Sequence, residues 1–283
     1  LLYLVHRLPY PPNKGDKVRS YHLLKHLVKH HRVFLGTFVD DPADEAYIDT
    51  VHQICPDLHV ARLHPRSAKL RSISGLLTRQ ALGLRYYQNA GLQAWVNKTL
   101  RENAIDATVI FSSVMAQYLD VVQAAQRPPM LVDFVDVDSA KWTQYAANHK
   151  WPMSWLYRRE GERLLACERA IAARAQRSFF VTDNETALFQ NMAPECVQRV
   201  ETMSNGVDAD FFSPDSSRAS PFADRASDPP QFPLVFTGAM DYWPNIDAVT
   251  WFVDEILPKL LLTRPQVRFY IVGRSPPPSV LAL

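Results

Sequence analysis

The fold of this chain is decided by one stretch, Met203-Ser204-Asn205-Gly206-Val207-Asp208-Ala209-Asp210-Phe211-Phe212-Ser213-Pro214. Asn, Gly, Asp and Pro favour turns, and a new apolar run begins at Leu234 and ends at Gly238. We therefore predict one domain over residues 1–203, a hinge and linker over 204–233, and the start of a second domain over 234–283. Asn205 and Gly206, in the turn itself, are candidate ligand-binding residues beside the cleft.

Short apolar runs rich in β-branched and aromatic residues alternate with helical patterns on both sides of this hinge. In the first domain the predicted strands include 1–6, 33–39, 58–63, 107–111, 130–137 and 178–182. Such alternation is typical of a parallel sheet with helices on both faces, so the predicted fold class is α/β. After the linker a single strand–helix–strand unit follows, at 234–237, 245–262 and 267–272. We expect a complete first domain and a truncated second one.

Composition and missing motifs exclude several functional classes. The net charge of +2 over 283 residues forces no choice of partner, and nothing favours nucleic acid. Three scattered cysteines predict neither a disulfide framework nor a zinc site and fit a reducing cytosol. No apolar run approaches the about 18–20 residues that a membrane span needs. No Gly-x-Gly, phosphate loop, zinc-protease helix or nucleophile elbow occurs, so a dehydrogenase of the usual kind is excluded.

The loop after the first strand is the first candidate site. In a doubly wound sheet, ligands bind where the carboxyl end of a strand leads into a helix. Gly15 lets backbone approach a ligand near a helix N-terminus, where free amides favour anions. We predict that Asn13, Lys14, Gly15 and Asp16 contact a ligand. The alternative is a rigid turn in which Asp16 caps the helix.

Three carboxylates lie at the end of the predicted strand at 130–137. Asp133, Asp136 and Asp138 stand at alternate or near-alternate positions and could serve as acid/base groups or as ligands of a hard metal ion. We take Asp136 and Asp138 as the candidate catalytic residues. The alternative is that Asp138 caps the next helix and that Asp136 makes structural hydrogen bonds.

A long segment, residues 58–101, contains no Asp or Glu. Its basic residues are interleaved with aliphatic and aromatic ones and comprise Arg62, Arg66, Lys69, Arg71, Arg79, Arg85, Lys98 and Arg101. This mixture suits the surface of an anionic membrane or an acceptor that bears phosphates. The alternative is an ordinary solvated helical face.

Other polar groups are interpreted as structural. His22, His26 and His30 recur every four residues, but no carboxylate or cysteine stands at a helpful spacing, so we predict a solvated face and no metal site. Thr182 or Asp183 is predicted to cap the helix that Glu185 begins.

Together these features resemble the GT-B glycosyltransferases, and the retaining family 4 in particular. The interdomain Ser-Asn-Gly-Val-Asp at 204–208 carries the resemblance, together with the strand ends Phe236-Thr237-Gly238 and Ile271-Val272-Gly273. The phrase at 2–21, Leu-Tyr-Leu-Val-His-Arg-Leu-Pro-Tyr-Pro-Pro-Asn-Lys-Gly-Asp-Lys-Val-Arg-Ser-Tyr, is most similar to the subgroup that accompanies bacterial exosortase and PEP-CTERM exopolysaccharide clusters. The resemblance implies two Rossmann-like domains.

The resemblance implies transfer of a sugar, of the hexosyltransferase kind, from a nucleotide diphosphate-sugar to an acceptor hydroxyl with retention. Asp136 falls nearest the position where the family commonly has a His facing the acceptor, and Asp138 is beside it. Gly238 and Gly273 would belong to the donor-binding domain, and no metal or cofactor is implied. Asp136 and Asp138 also match the manganese motif of GT-A enzymes, which we discount because a single compact domain would not explain the hinge.

The implied partners are a nucleotide-sugar donor, a polysaccharide or lipid-linked acceptor and, through residues 58–101, an anionic membrane surface. The implied location is the cytoplasm, with peripheral attachment to the inner face of the membrane. The donor-site Glu-x7-Glu of the family lies beyond Gly273 and is absent here, so this fragment is expected to be inactive. A catalytically silent acceptor- or membrane-binding module of GT-B fold is the alternative, and a sugar-nucleotide 2-epimerase is a third interpretation.

Overall fold

The computed structural model describes residues 1–78, 80–120, 122, 127–215, 217–219, 222 and 231–283. These residues divide into two compact units, Leu1–Val207 and Asp208–Leu283. The division falls inside the predicted 204–233 segment, part of which lies outside the described residues. The role of that segment as a hinge stays a prediction.

The described residues alternate strands with helices, as the sequence predicts. The strands are β1 (Leu2–Val5), β2 (Phe34–Val39), β3 (Asp57–Arg62), β4 (Thr108–Phe111), β5 (Met130–Val135), β6 (Arg177–Phe180), β7 (Val200–Thr202), β8 (Phe232–Thr237) and β9 (Val267–Val272). The α-helices are α1 (Gly15–His30), α2 (Ile48–Ile54), α3 (Pro65–Ile73), α4 (Gly75–Thr78), α5 (Leu82–Tyr86), α6 (Ala90–Glu102), α7 (Asp138–Ala147), α8 (Met153–Arg174), α9 (Asp183–Met192), α10 (Trp243–Trp251), α11 (Leu257–Thr263) and α12 (Pro278–Leu281). Within the described ranges, 3₁₀ segments occur at Pro42–Tyr47, Ser113–Leu119 and Pro194–Arg199.

The first unit is built on a seven-stranded parallel sheet in the order β3-β2-β1-β4-β5-β6-β7. Every residue of β1, β2 and β4 is buried, because helices cover both faces. Along β1, Leu2 and Leu4 join the core on one face, whereas Tyr3 and Val5 join the core on the other. This is the two-residue period of a strand buried on both faces.

Two glycines allow close packing around this sheet. A Cβ at Gly36, in β2, would come within 2.8 Å of the side chains of Leu4 and Trp95, so glycine lets α6 lie directly on the strand. A Cβ at Gly161 would come within 2.7 Å of Thr143 Oγ1, and glycine there lets α8 pack tightly on α7.

The second unit has a two-stranded parallel sheet of β8 and β9. Its described residues form a small core around Met240, Val249 and Val280. The helix that the sequence predicts over 245–262 is divided by a π-helical segment at Phe252–Ile256. Pro258 has no amide hydrogen to donate within a continuous helix, and it lies in the first turn of α11 instead.

Candidate functional site

The candidate site of the first unit lies where β1, β4 and β5 reach their carboxyl ends. These three strands are neighbours in the sheet, so the loops that follow them emerge side by side. The predicted loop with Gly15 and the predicted carboxylates Asp136 and Asp138 follow β1 and β5 respectively. The topology therefore brings the two sequence-predicted groups to one edge.

A charged cluster occupies the start of α1. The Arg7 guanidinium donates through Nη1 to Asp16 Oδ2 at 3.0 Å and through Nε to Asp40 Oδ2 at 2.9 Å. His6 Nε2 lies 3.4 Å from the same Asp16 oxygen. Although burial opposes the shift, His6 and Arg7 hold the pKa of Asp16 well below its usual range. The Asp16 carboxylate is therefore a fixed negative charge.

Asp16 is not the cap of α1, contrary to the alternative interpretation of the sequence. The cap position belongs to Lys14, whose side chain makes no capping hydrogen bond, and Asp16 is the second residue of the helix. Asn13 and Gly15 are exposed, and a Cβ added at Gly15 would meet nothing within 4 Å. The loop thus leaves open space beside the first turn of α1. Direct contact of these residues with a ligand stays a prediction.

His6 is a site residue that the sequence reasoning missed. Its ring stacks on Phe111 at a centroid distance of 5.9 Å and meets the edge of Tyr87 at 5.8 Å. Its Nδ1 is buried and has no hydrogen-bond partner among the described residues. The available signal was its position, since a polar residue directly after a buried apolar strand marks the edge where ligands bind.

Arg19 holds β5 and the start of the predicted hinge together. Its guanidinium donates to both oxygens of Asp133, at 2.7 and 3.1 Å, and the two side chains are only 7% and 2% exposed. It also donates to the Met203 carbonyl at 2.7 Å and to Asn205 Oδ1 at 2.9 Å. Burial raises the pKa of Asp133, and Arg19 opposes that rise. Asp133 is therefore a structural partner of Arg19, and Asn205 is positioned by the same cation.

The end of β5 has strained backbone. Val135 has a φ of 69°, which is rare for a β-branched residue, and the Asp136 amide donates to the Phe134 carbonyl at 3.0 Å across it. On the neighbouring strand end, Ser112 has a φ of 74°. Strain of this kind costs about 1–3 kcal/mol per residue and clusters at functional sites. Two adjacent strained strand ends single out this edge as the candidate site.

Lys141 joins the two predicted catalytic carboxylates. Its Nζ lies 2.7 Å from Asp136 Oδ2 and 3.2 Å from Asp138 Oδ1. Burial lowers the pKa of Lys141, but the nearby carboxylates of Asp138 and Asp136 raise it by more. The pKa of Lys141 is therefore above its ordinary value. Asp138 is the first residue of α7, and no side chain caps that helix, so the capping alternative for Asp138 is wrong. No group of three or more His, Cys, Asp or Glu in the described part of the chain could hold a metal ion.

Two buried glutamates of α8 accept hydrogen bonds from residues of neighbouring segments. Glu168 accepts from the Ser139 hydroxyl at 2.5 Å, and burial raises the pKa of Glu168 to about 8. Glu160 accepts from the amides of Leu82 and Gly83 at 2.8 and 3.0 Å. Thr182 caps α9 by accepting from the Glu185 amide at 3.2 Å, as the sequence predicts.

In the second unit, Gly238 and Gly273 have a packing role. They follow β8 and β9, and a Cβ at Gly273 would lie 1.7 Å from the Gly238 carbonyl oxygen. The Gly238 amide donates to the Val272 carbonyl at 3.0 Å, which fixes this approach. Gly206, in contrast, faces open space, since a Cβ there would meet nothing within 4 Å. Ligand contact at all three glycines stays a prediction.

No protein-family model and no curated protein matches this sequence. Among solved structures, the chain is similar to Anabaena HepE, solved in complex with UDP and glucose, with 15% identity and a TM-score of 0.56 over 96% of this chain and 60% of that one. It is similar to sucrose-phosphate synthase from Thermosynechococcus elongatus, with 15% identity and a TM-score of 0.58 over 98% and 63%. The N-terminal domain of Candida albicans trehalose-6-phosphate phosphatase matches with 14% identity and a TM-score of 0.51 over 99% and 65%.

These structural similarities, at 14–15% sequence identity, are evidence for the fold of the chain. The chain spans about 60–65% of the length of the three proteins named above. Within the described residues, no helix is both long and apolar enough to cross a bilayer. The predicted fold class is confirmed: this is a Rossmann-like α/β chain of GT-B architecture, with a seven-stranded parallel sheet in the first unit and a two-stranded one in the second.

Proposed function

We propose that this chain forms the acceptor-side part of a glycosyltransferase that moves a sugar from a nucleotide diphosphate-sugar to an acceptor hydroxyl with retention. The observation that carries the proposal is the strained carboxyl edge of the first sheet, where charged side chains converge beside the open space at Gly15. HepE of Anabaena has been solved with UDP, with UDP-glucose, and with UDP and glucose together. A nucleotide diphosphate-sugar is therefore the donor in this proposal.

Asp136 and Asp138 orient the acceptor in this proposal. Their carboxylates share the Lys141 ammonium, which holds the two side chains side by side. Ionised carboxylates accept hydrogen bonds from sugar hydroxyls, so this pair positions the acceptor. The leaving diphosphate takes the proton of the attacking hydroxyl on the same face of the donor sugar, which gives retention.

The loop before α1 contacts the donor diphosphate in the proposal. Gly15 lets the phosphates approach the amides of the first helical turn, and the Lys14 side chain supplies a positive charge. Asp16 is held by Arg7 and His6, which keeps its negative charge away from the phosphates. Closure of two domains about 204–214 would exclude water while the sugar is transferred.

The biological setting proposed is bacterial exopolysaccharide or glycolipid synthesis, within family 4 and its PEP-CTERM-associated subgroup. The phrase at 2–21 supports this assignment, because it supplies both β1 and the loop of the candidate site. The acceptor would be a polysaccharide or a lipid-linked sugar, and the protein would act in the cytoplasm at the inner face of the membrane.

The decisive experiment measures donor use by the protein as its gene encodes it. A panel of nucleotide diphosphate-sugars is tested for binding by calorimetry and for release of the nucleotide, with and without sugar acceptors. We expect one donor class to bind and to turn over, and inversion at the anomeric carbon would reject the retaining mechanism. If no donor binds or reacts, the transferase proposal fails and the silent acceptor- or membrane-binding module takes its place.

A variant of Gly15 locates the site. Gly15→Leu fills the open space beside α1 and is expected to weaken donor binding at least tenfold without loss of stability. Ala90→Leu is the matched control, because Ala90 is an exposed first residue of α6, just as Gly15 is of α1. Equal donor affinity in Gly15→Leu and the wild type would remove this loop from the site.

A further inference from the structure

Exposed apolar side chains of the first unit concentrate on two short segments. Leu70, Ile73 and Leu76 lie on α3 and α4, and Leu70 is 72% exposed. Trp151 lies just before α8, and Trp155 lies in the first turn of that helix, with exposures of 81% and 54%. Scattered exposed apolar residues are normal in any protein, whereas a cluster of large ones marks an interaction surface.

The two segments are held against each other. Arg159 Nη2 donates to the Gly75 carbonyl at 2.6 Å and to the Gln80 carbonyl at 3.3 Å. Trp155 precedes Arg159 by one helical turn, so both side chains lie on the same face of α8. Trp155 and the aliphatic residues of α3 and α4 therefore belong to one surface, and Trp151 lies four residues before Trp155 along the chain.

The charges around this surface are positive. Residues 58–101 contain no Asp or Glu, and neither do residues 139–159. Arg66, Lys69, Lys150 and Arg158 are exposed, and none lies within ion-pair distance of a carboxylate in the described parts of the chain. Arg79, which the sequence places in the same basic segment, lies outside the described residues. Unpaired cations around apolar and indole side chains complement anionic headgroups above acyl chains.

This surface adjoins the candidate site. Arg71, on α3, donates to the carbonyls of Arg85 and Tyr86 at 3.0 and 3.1 Å. The next residue, Tyr87, meets the His6 ring. A bilayer on the surface would therefore lie next to the carboxyl edge of the sheet, where the proposed acceptor binds.

We propose that the surface formed by α3, α4 and residues 150–158, which include the start of α8, docks on an anionic lipid bilayer and presents a lipid-linked acceptor to the carboxyl edge of the sheet. The acceptor part rests on the proposed function, whereas docking itself does not. Exposed leucine and isoleucine favour acyl chains over nucleic acid, whose bases stack on aromatic rings. Like charges oppose the pairing of this surface with a second copy of itself.

Flotation with vesicles of phosphatidylcholine and 30% phosphatidylglycerol tests docking. We expect the wild type to float with these vesicles at about 0.1 M salt and to bind pure phosphatidylcholine at least tenfold more weakly. Trp151→Ser/Trp155→Ser and Lys69→Glu/Arg158→Glu should each weaken binding to the anionic vesicles at least tenfold. Their far-UV circular dichroism and melting temperature should match the wild type.

Matched controls distinguish vesicle binding by this surface from nonspecific binding by other parts of the protein. Trp251→Ser removes a similarly exposed tryptophan (58%) from the second unit, and Lys29→Glu reverses an exposed charge on α1. Both should float like the wild type. If the wild type fails to float, or the controls lose as much binding as the variants, the inference is wrong. Preferential binding of a single-stranded oligonucleotide, or a dimer that the tryptophan variants dissociate, would also overturn it.

Donor turnover with a water-soluble acceptor distinguishes the two proposals. Turnover without vesicle binding would reject the docking surface and keep the transferase. Vesicle binding without donor binding would keep the docking surface and reject the transferase.

Discussion

The two units of this molecule use the same strand–helix–strand pattern but bury it to different extents. In the first unit, β1, β2 and β4 are buried along their whole length. In the second, β8 and β9 are each largely half-buried or exposed. An apolar groove of about 370 Å³ lies against β8, lined by Leu234, Val235, Phe236, Ala248, Trp251, Phe252 and Phe269. A parallel strand pair is therefore not buried by its own crossover helix alone.

The units also differ in the charges they bury. The first contains the buried ion pairs Lys17–Asp44 and Arg19–Asp133. Among the described residues of the second, no charged side chain is buried. A buried charge is tolerated only where its partner is held at hydrogen-bond distance, and this requires a well-packed surrounding core. The core of the first unit thus supports both the buried charges and the strained edge of the candidate site.

The largest expected effect comes from Arg19→Met. The substitution leaves the buried Asp133 carboxylate without its cation, which should cost about 3–5 kcal/mol in the unfolding of the first unit. Urea denaturation followed by near-UV circular dichroism measures it. Asp133→Leu added to Arg19→Met should restore part of the loss, because no unpaired charge then remains. Arg32→Met, at an exposed pair, should have no measurable effect.

Gly273→Ala should act on the second unit alone. The added Cβ would lie 1.7 Å from the Gly238 carbonyl oxygen, so backbone must move at a cost of about 1–3 kcal/mol. Hydrogen exchange should show faster exchange at the Gly238 amide and in β8, with β1 to β5 unchanged. Gly206→Ala, in open space, is the control. An unchanged exchange rate in β8 would show that the glycines are not in contact.

Glu168 should make the first unit less stable at alkaline pH. Burial raises its pKa to about 8 from an ordinary value of 4.5, so the folded state holds a proton that the unfolded state has lost. This contribution is complete below pH about 4.5 and is lost as the pH rises through 8. Between pH 7 and 9 the loss is about 1.4 kcal/mol. The free energy of unfolding should fall less over this range in Glu168→Gln, while Glu162→Gln should behave like the wild type.

The sequence predicts the sheet well and the site only in part. Apolar runs reveal most strands, but β7 has three residues, too few for a periodic pattern. Asp136 and Asp138 stand out because they follow a strand. Arg19 does not, because its partner Asp133 lies 114 residues away along the chain. The available signal was Asp133 itself, since a carboxylate inside an apolar strand requires a buried partner.

The smallest effect is expected from Ala248→Leu, which tests whether the second unit has unfilled apolar space. Ala248 lines the groove against β8, so a leucine side chain can enter it without displacing neighbours. We expect the free energy of unfolding of this unit to change by no more than about 0.5 kcal/mol, or to rise. Ala116→Leu is the matched substitution in the first unit, where the residue is fully buried and overpacking should cost about 1–3 kcal/mol. Equal losses at the two positions would show that the groove is as tightly packed as the core of the first unit. Unequal losses would confirm that the two units differ in packing although they share one strand–helix–strand pattern.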